Sequence, residues 1–181
     1  MVKLDIGCGK NKKEGYIGID QFPMEGVDLV LDIRKEKLPY EDNEVDEVHA
    51  SHFLEHLTAE ERVSMLNEIY RVLKPGGTVT IITPHWASNR AYGDFTHQWP
   101  PVSEMFYYYL SKDWRDSNAP HTDSKYNEKG YSCDFKATWG YSYNPELNLR
   151  HQEHINFALS NYKEVIMDMY ATLIKPSIVE D

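Results

Sequence analysis

The chain has 181 residues, of which 41% are hydrophobic and 27% charged, enough for one domain with a sizeable core. Its 29 acidic side chains against 19 basic ones leave a net charge of −10, which argues against broad contact with DNA or RNA, where lysine and arginine must neutralise phosphates. No apolar run is as long as a membrane helix, Met1 to Asp5 leaves no room for a signal peptide, and Cys8 and Cys133 define no disulfide framework. A cytoplasmic protein without a membrane partner is expected.

In chain order, residues 2–6 read as a short buried strand ended by Gly7-Cys8-Gly9, residues 16–20 as a second strand and residues 27–33 as a third. Residues 45–51 are the next strand candidate. Thr58 and Glu61 have the spacing of a capping box, which opens a helix carrying Val63, Leu66, Ile69, Tyr70 and Leu73 on one face. Lys74-Pro75-Gly76-Gly77 stops that helix, and residues 78–83 form a buried strand. This order predicts an α/β fold with a mainly parallel sheet and flanking helices. After Pro84 the composition shifts towards aromatics, including Trp99, Trp114, Trp139 and the Tyr107-Tyr108-Tyr109 run. Here a helix over 103–110, a strand over 135–143, a helix from Pro145 past Phe157 and a last strand over 167–174 are expected. The whole reads as a single domain, 1–181, with a cofactor-binding half (1–85) and an acceptor-side half (86–181).

The Gly7-Cys8-Gly9 turn lets a ligand approach the backbone after the first strand. Asp20 and Asp32 close the next two strands at the carboxyl edge of the sheet, where open α/β sheets bind ligands. A nicotinamide or flavin fingerprint fits poorly, because Lys12 stands where its third glycine belongs and Asp20 comes too soon. Taken as an ordered set, residues 4–9, Gly18-Ile19-Asp20, Leu31-Asp32-Ile33, Leu38-Pro39-Tyr40, residues 46–57 and Leu73-Lys74-Pro75-Gly76-Gly77 resemble the class I S-adenosylmethionine-dependent methyltransferases, in particular small bacterial and phage members.

The resemblance implies a Rossmann-like, seven-stranded sheet and S-adenosyl-L-methionine as cofactor. Asp5, Gly7 and Gly9 would hold the methionine part, Asp20 the ribose hydroxyls, Asp32 with the Ile33 backbone the adenine edge, and Ser51 and His52 would lie beneath the sulfonium. Carboxylates and carbonyl oxygens suit such a cofactor, which offers an ammonium, hydroxyls, an amine and a cationic sulfur. The chain departs from the family between Lys10 and Gly15, a link too short for the first crossover helix. That leaves one face of the sheet to be covered by the insert after Pro84, the tail, or a second subunit in a homodimer.

In the acceptor half, His97, His85 and His52 are candidate bases, with Asp94 as an orienting partner. Tyr92, Trp99, Phe106 and Tyr107 to Tyr109 fit a core better than a pocket. The expected function is methyl transfer to an acceptor that the sequence does not identify, a small molecule or a sugar rather than nucleic acid. A non-catalytic cofactor-binding protein is one alternative. The other is a zinc hydrolase, because His52-Phe53-Leu54-Glu55-His56 matches the H-x-x-E-H of inverted zinc peptidases. That segment meets a helix start at Thr58 instead of lying within a long helix, so no metal ligand is assigned.

Overall fold

In the computed structural model, which describes residues 1–119 and 130–177, the strands are β1 (Lys3–Ile6), β2 (Ile17–Asp20), β3 (Leu29–Val30), β4 (Val45–Ser51), β5 (Leu73–Pro84), β6 (Lys136–Tyr143) and β7 (Ile166–Ile174). They form one sheet in the order β3-β2-β1-β4-β5-β7-β6. The first five run parallel, and β7 lies antiparallel between β5 and β6. Parallel pairing brings the carboxyl ends of β1 to β4 to one edge of the sheet.

The expected helix after β4 is α1 (Ala59–Val72). Thr58 accepts a hydrogen bond from the Glu61 amide and Glu61 accepts one from the Thr58 amide, so the capping box forms. Its buried face is Arg62, Met65, Leu66, Ile69 and Val72. Val63 and Tyr70, placed on that face by their spacing, lie at its half-buried margins. This face packs with Leu4, Ile6, Val48, Val79, Ile81, Ala171 and Leu173 in one hydrophobic core.

Four elements differ from the sequence expectation. β5 begins at Leu73, so Leu73 leaves the helix face and Lys74 to Gly77 belong to the strand. The third strand shrinks to two residues, because the chain turns at Asp32, whose carbonyl accepts from the Lys35 and Glu36 amides and whose carboxylate accepts from the Arg34 amide. The helix expected from Pro145 is broken into a 3-10 turn (Pro145–Leu149) and α5 (Gln152–Asn161), with extended backbone at Arg150 and His151 between them. Asn144 caps the first piece with its side-chain oxygen on the Glu146 amide. The helix expected over 103–110 is the shorter α3 (Glu104–Tyr108); α2 (Arg90–Gly93) and α4 (Lys112–Asn118) complete the insert.

Between β1 and β2 the chain forms no helix, as the short first link requires, and none lies between β2 and β4 either. The link itself lies over β1 on the face opposite α1. The Lys13 amide donates to Asp5 at 2.7 Å, and the Lys13 ammonium sits 4.6 Å from the Tyr16 ring centre. Tyr16 donates to Glu47, which pairs with Lys3 at 2.6 Å. Polar bonds thus seal part of a surface that a crossover helix normally covers with apolar contacts, and Asp5 is buried beneath them.

Below the second half of the sheet, Glu104 joins α3 to the strands. One of its carboxylate oxygens meets Tyr141 Oη and His85 Nε2, each at 2.9 Å. The Ala87 amide donates to His85 Nδ1, so Nε2 carries the proton and donates to Glu104. The His85 bond is the chief cause that lowers the Glu104 carboxyl to about 2, from an ordinary 4.5. A lowered folded value means stability that is present above the ordinary carboxyl range and lost as pH falls towards 2. Glu104→Gln is therefore expected to cost about 1.5 kcal/mol at pH 7, measured by urea unfolding, with a deficit that narrows below pH 4.5. A deficit of the same size at pH 3 would contradict this assignment.

Candidate functional site

The carboxyl ends of β1 to β4 frame a cleft of about 630 Å³, within the size range of small-molecule sites. Gly7, Asp20, Asp32, Ile33 and His52, all singled out from the sequence, line it. So do Phe22, Arg34, Phe53, His56, Phe95 and Thr96, which were not assigned to it. Gly7 has φ +67°, and a Cβ there would stand 2.3 Å from the Phe53 ring, so glycine lets that ring form the floor. Asp20 accepts from the Gly9 amide on one oxygen and from the Phe22 amide on the other, both at 3.0 Å, which aims its carboxylate at the cleft with lone pairs to spare.

Asp32 is more heavily engaged. Arg34 Nε and Nη2 grip its two oxygens at 2.7 and 2.8 Å, and Lys35 approaches at 3.1 Å. The Arg34 guanidinium holds the Asp32 carboxyl well below the usual carboxylate range. Arg34 also reaches Gln21 and faces the cleft, so an adenine-like group there would meet arginine as well as aspartate. Asp5 is set apart: its oxygens are taken by the Lys13 amide and by His49 Nδ1, each at 2.7 Å, and it does not line the cleft. Gly9 and Ser51 do not line it either; Gly9 acts through its amide on Asp20.

A second cleft of about 560 Å³ adjoins the first, lined by His52, Glu55, His56, Pro84, Arg90, Gly93, Asp94, Phe95 and His97. His52, His56 and Phe95 belong to both walls. His52 follows β4 with φ +51°, and its Nδ1 meets Glu55 at 3.3 Å, which raises the imidazole above its ordinary value. His97 uses Nδ1 on the Ala91 carbonyl at 3.2 Å. Asp94 accepts from the Thr96 hydroxyl, and that hydroxyl meets His56 Nδ1, so Asp94 orients His56 through Thr96. His85 is fully buried against Glu104 and Ala87 and lines neither cleft.

The H-x-x-E-H segment forms a single 3-10 turn (Leu54–His56) with His52 outside it, so the long helix of an inverted zinc peptidase is not built here. The insert is docked onto that turn by Arg62 of α1. Its guanidinium, 1% exposed, donates to the carbonyls of Leu54, Gln98 and Pro100 at 3.0, 3.1 and 2.5 Å and to that of Glu55 at 3.5 Å. The aromatic run is mostly packing: Tyr107 is buried, Phe106 packs on the core, and Tyr108 and Tyr109 contact Trp114. Tyr92 and Trp99 are exposed beyond both clefts. His151 and His154 lie exposed at the start of α5.

This strand order, with β7 inserted antiparallel beside β5, is the fold of the class I S-adenosylmethionine-dependent methyltransferases. A SAM-dependent methyltransferase from Archaeoglobus fulgidus superposes with a TM-score of 0.66 at 22% identity, covering 96% of this chain and 85% of that one. Residues 4–81 match the family model described as a methyltransferase domain. An uncharacterized methyltransferase of Synechocystis sp. is 35% identical over 116 residues, 55% of this chain; the chain spans about half the length, 52%, of that relative. The [4+2]-cyclase SpnF shares the fold with a TM-score of 0.54 at 19% identity, covering 97% of this chain and 74% of that one.

The two glycines of the turn allow a direct test of the cleft floor. Both have positive φ, but a Cβ on Gly9 meets nothing within 4 Å. Gly7→Ala is expected to lower the melting temperature more than Gly9→Ala, by about 1–3 kcal/mol in stability, because Phe53 must move. Equal losses in the two variants would show that Phe53 is not held by Gly7.

Proposed function

We propose that the protein transfers a methyl group from S-adenosyl-L-methionine, bound in the first cleft, to a small-molecule acceptor in the second. The observation that carries this reading is that the two clefts share His52, His56 and Phe95 as lining, which places their ligands side by side. The residues fit the cofactor. Gly7 leaves the turn open, Asp20 offers charged acceptors to paired hydroxyls, Asp32, Ile33 and Arg34 surround the place of a base, and Phe22 and Phe53 add apolar surface. When bound, the cofactor supplies a methyl group made electrophilic by its sulfonium.

The acceptor side is built for orientation. His97 fixes its ring through Nδ1 and leaves the Nε2 lone pair for one partner, a proton of the acceptor or a metal ion, while Arg90 and Asp94 give the cleft charges of both signs. Such a lining suits a polar molecule with a hydroxyl or amine, a sugar among them, better than a nucleic acid. The chain's net charge of −10 supports the same choice.

S-adenosylmethionine and its demethylated product are expected to raise the melting temperature, and nicotinamide dinucleotides are not. Asp20→Ala should weaken binding by about 10- to 150-fold in isothermal titration, the value of a charge-assisted hydrogen-bond acceptor. Unchanged affinity in that variant would refute the ribose assignment. Turnover is tested with labelled cofactor against a panel of hydroxylated and amino acceptors. His97→Gln should lower turnover by about 10²–10⁴-fold and leave cofactor affinity nearly intact.

A further inference from the structure

We propose that Glu55, His56 and His97 bind a divalent transition-metal ion of the zinc class at the junction of the two clefts. One carboxylate oxygen and one ring nitrogen from each histidine lie within 4.8 Å of one another. An ion with bonds of about 2.0–2.2 Å is reached if each of these atoms moves inward by less than about 1 Å.

Two further features point to the same centre. Glu55 is 95% buried, and its Oε2 has no hydrogen-bond partner among the described residues, although its Oε1 meets His52. A buried carboxylate oxygen without a partner is costly, and a bound cation removes that cost. The histidines are prepared in the manner of metal ligands. The Thr96 hydroxyl gives its one proton to Asp94 at 2.7 Å, so it accepts from His56 Nδ1–H at 2.9 Å. His97 Nδ1 can only donate to the Ala91 carbonyl. Each ring therefore has its Nδ1 proton anchored and its Nε2 lone pair free, the tautomer that an outer ring of partners fixes in metal sites. The rings meet edge to face, with centres 4.8 Å apart.

Two imidazoles and one carboxylate form a donor set of intermediate softness, which favours zinc, cobalt or iron(II) over the all-oxygen preference of magnesium and calcium. Three protein ligands leave a coordination position open. His56 borders both clefts, and Glu55 and His97 border the second, so that position faces the space proposed for the acceptor, where an oxygen or water can occupy it. The set is not that of the inverted peptidase pattern. His52 supports Glu55 through hydrogen bonding, and His97 from the insert takes its place as a ligand.

The site stands on these residues whether or not the chain transfers methyl groups, and the test needs no cofactor. The full chain, stripped with a chelator, is titrated with zinc alone by calorimetry and with cobalt(II) by visible absorption. One ion per chain with Kd at or below about 1 µM and cobalt bands of nitrogen–oxygen coordination are expected, with no comparable response to magnesium. His97→Gln and His56→Gln should each weaken zinc binding at least about 100-fold, while His154→Gln, on the exposed α5, leaves it unchanged. Absence of stoichiometric zinc binding and of the cobalt bands in the unmutated chain would overturn the proposal without relying on any variant. Loss of binding in His154→Gln with retention in His97→Gln would also overturn it.

Discussion

The arrangement of both clefts depends on one buried guanidinium. Arg62 sits on the apolar face of α1 and, among the described residues, makes no ion pair; its charge is balanced by four backbone carbonyls. Two of these belong to the 54–56 turn and two to the insert at Gln98 and Pro100. Burial lowers the Arg62 pKa, opposed by the nearby Glu55. Taking such a cation out of water costs several kcal/mol, and the rigid fork of donors offsets that cost by hydrogen-bonding carbonyls of both segments at once. Removing it would leave those carbonyls and the Glu55 charge in a poorly hydrated place. The insert would then lose the contact that brings His97 beside Glu55.

With that clamp in place, the sheet and the insert divide the work. The parallel strands deliver Gly7, Asp20, Asp32 and His52 to one edge, a consequence of topology that holds for any ligand of the cleft. The insert adds Phe95 and Thr96 to the first cleft and Asp94, Phe95 and His97 to the second. The chain does this with little helical cover between β1 and β4. It replaces the missing helix by a loop whose Lys13 amide and Tyr16 hydroxyl donate to the Asp5 and Glu47 carboxylates. Asp5, read from the sequence as a group for the methionine end of the cofactor, is thereby tied into the sheet, and any influence it has on the cleft passes through the Gly7–Lys13 loop.

What could be read from the sequence was what is local. The capping box of Thr58 and Glu61 and the glycine turn rest on neighbouring residues, and the structure has both; the helix stops earlier than expected, at Val72, and Pro75 to Gly77 lie in β5. The parallel order of β1, β2, β4 and β5 followed from their spacing. Long-range polar bonds left no comparable signal. Arg62 falls in register with Met65, Leu66 and Ile69, but a charged side chain in that position reads as solvated until its carbonyl partners, from distant segments, are known. The Arg34 grip on Asp32 is only two residues away in the chain, yet the adenine assignment gave that carboxylate to a ligand. The aromatic run split for a similar reason: Tyr107 faces the core, while Tyr108 turns outward to Trp114 and Trp139. His56 was present in the H-x-x-E-H match, but its partner His97 comes from the insert, and no spacing rule joins the two.

The clamp is tested most directly by amide hydrogen exchange at Gln98. Its N–H donates to the Glu55 carbonyl at 2.8 Å, across the joint that Arg62 holds. In the unmutated chain this amide should be protected nearly as well as the amides of α1. In Arg62→Met it should exchange at least about 10-fold faster, while amides near Ile69 keep the protection of the core. Gln98 protection that is unchanged in Arg62→Met would contradict the account, because the insert would then be docked by something other than the buried guanidinium.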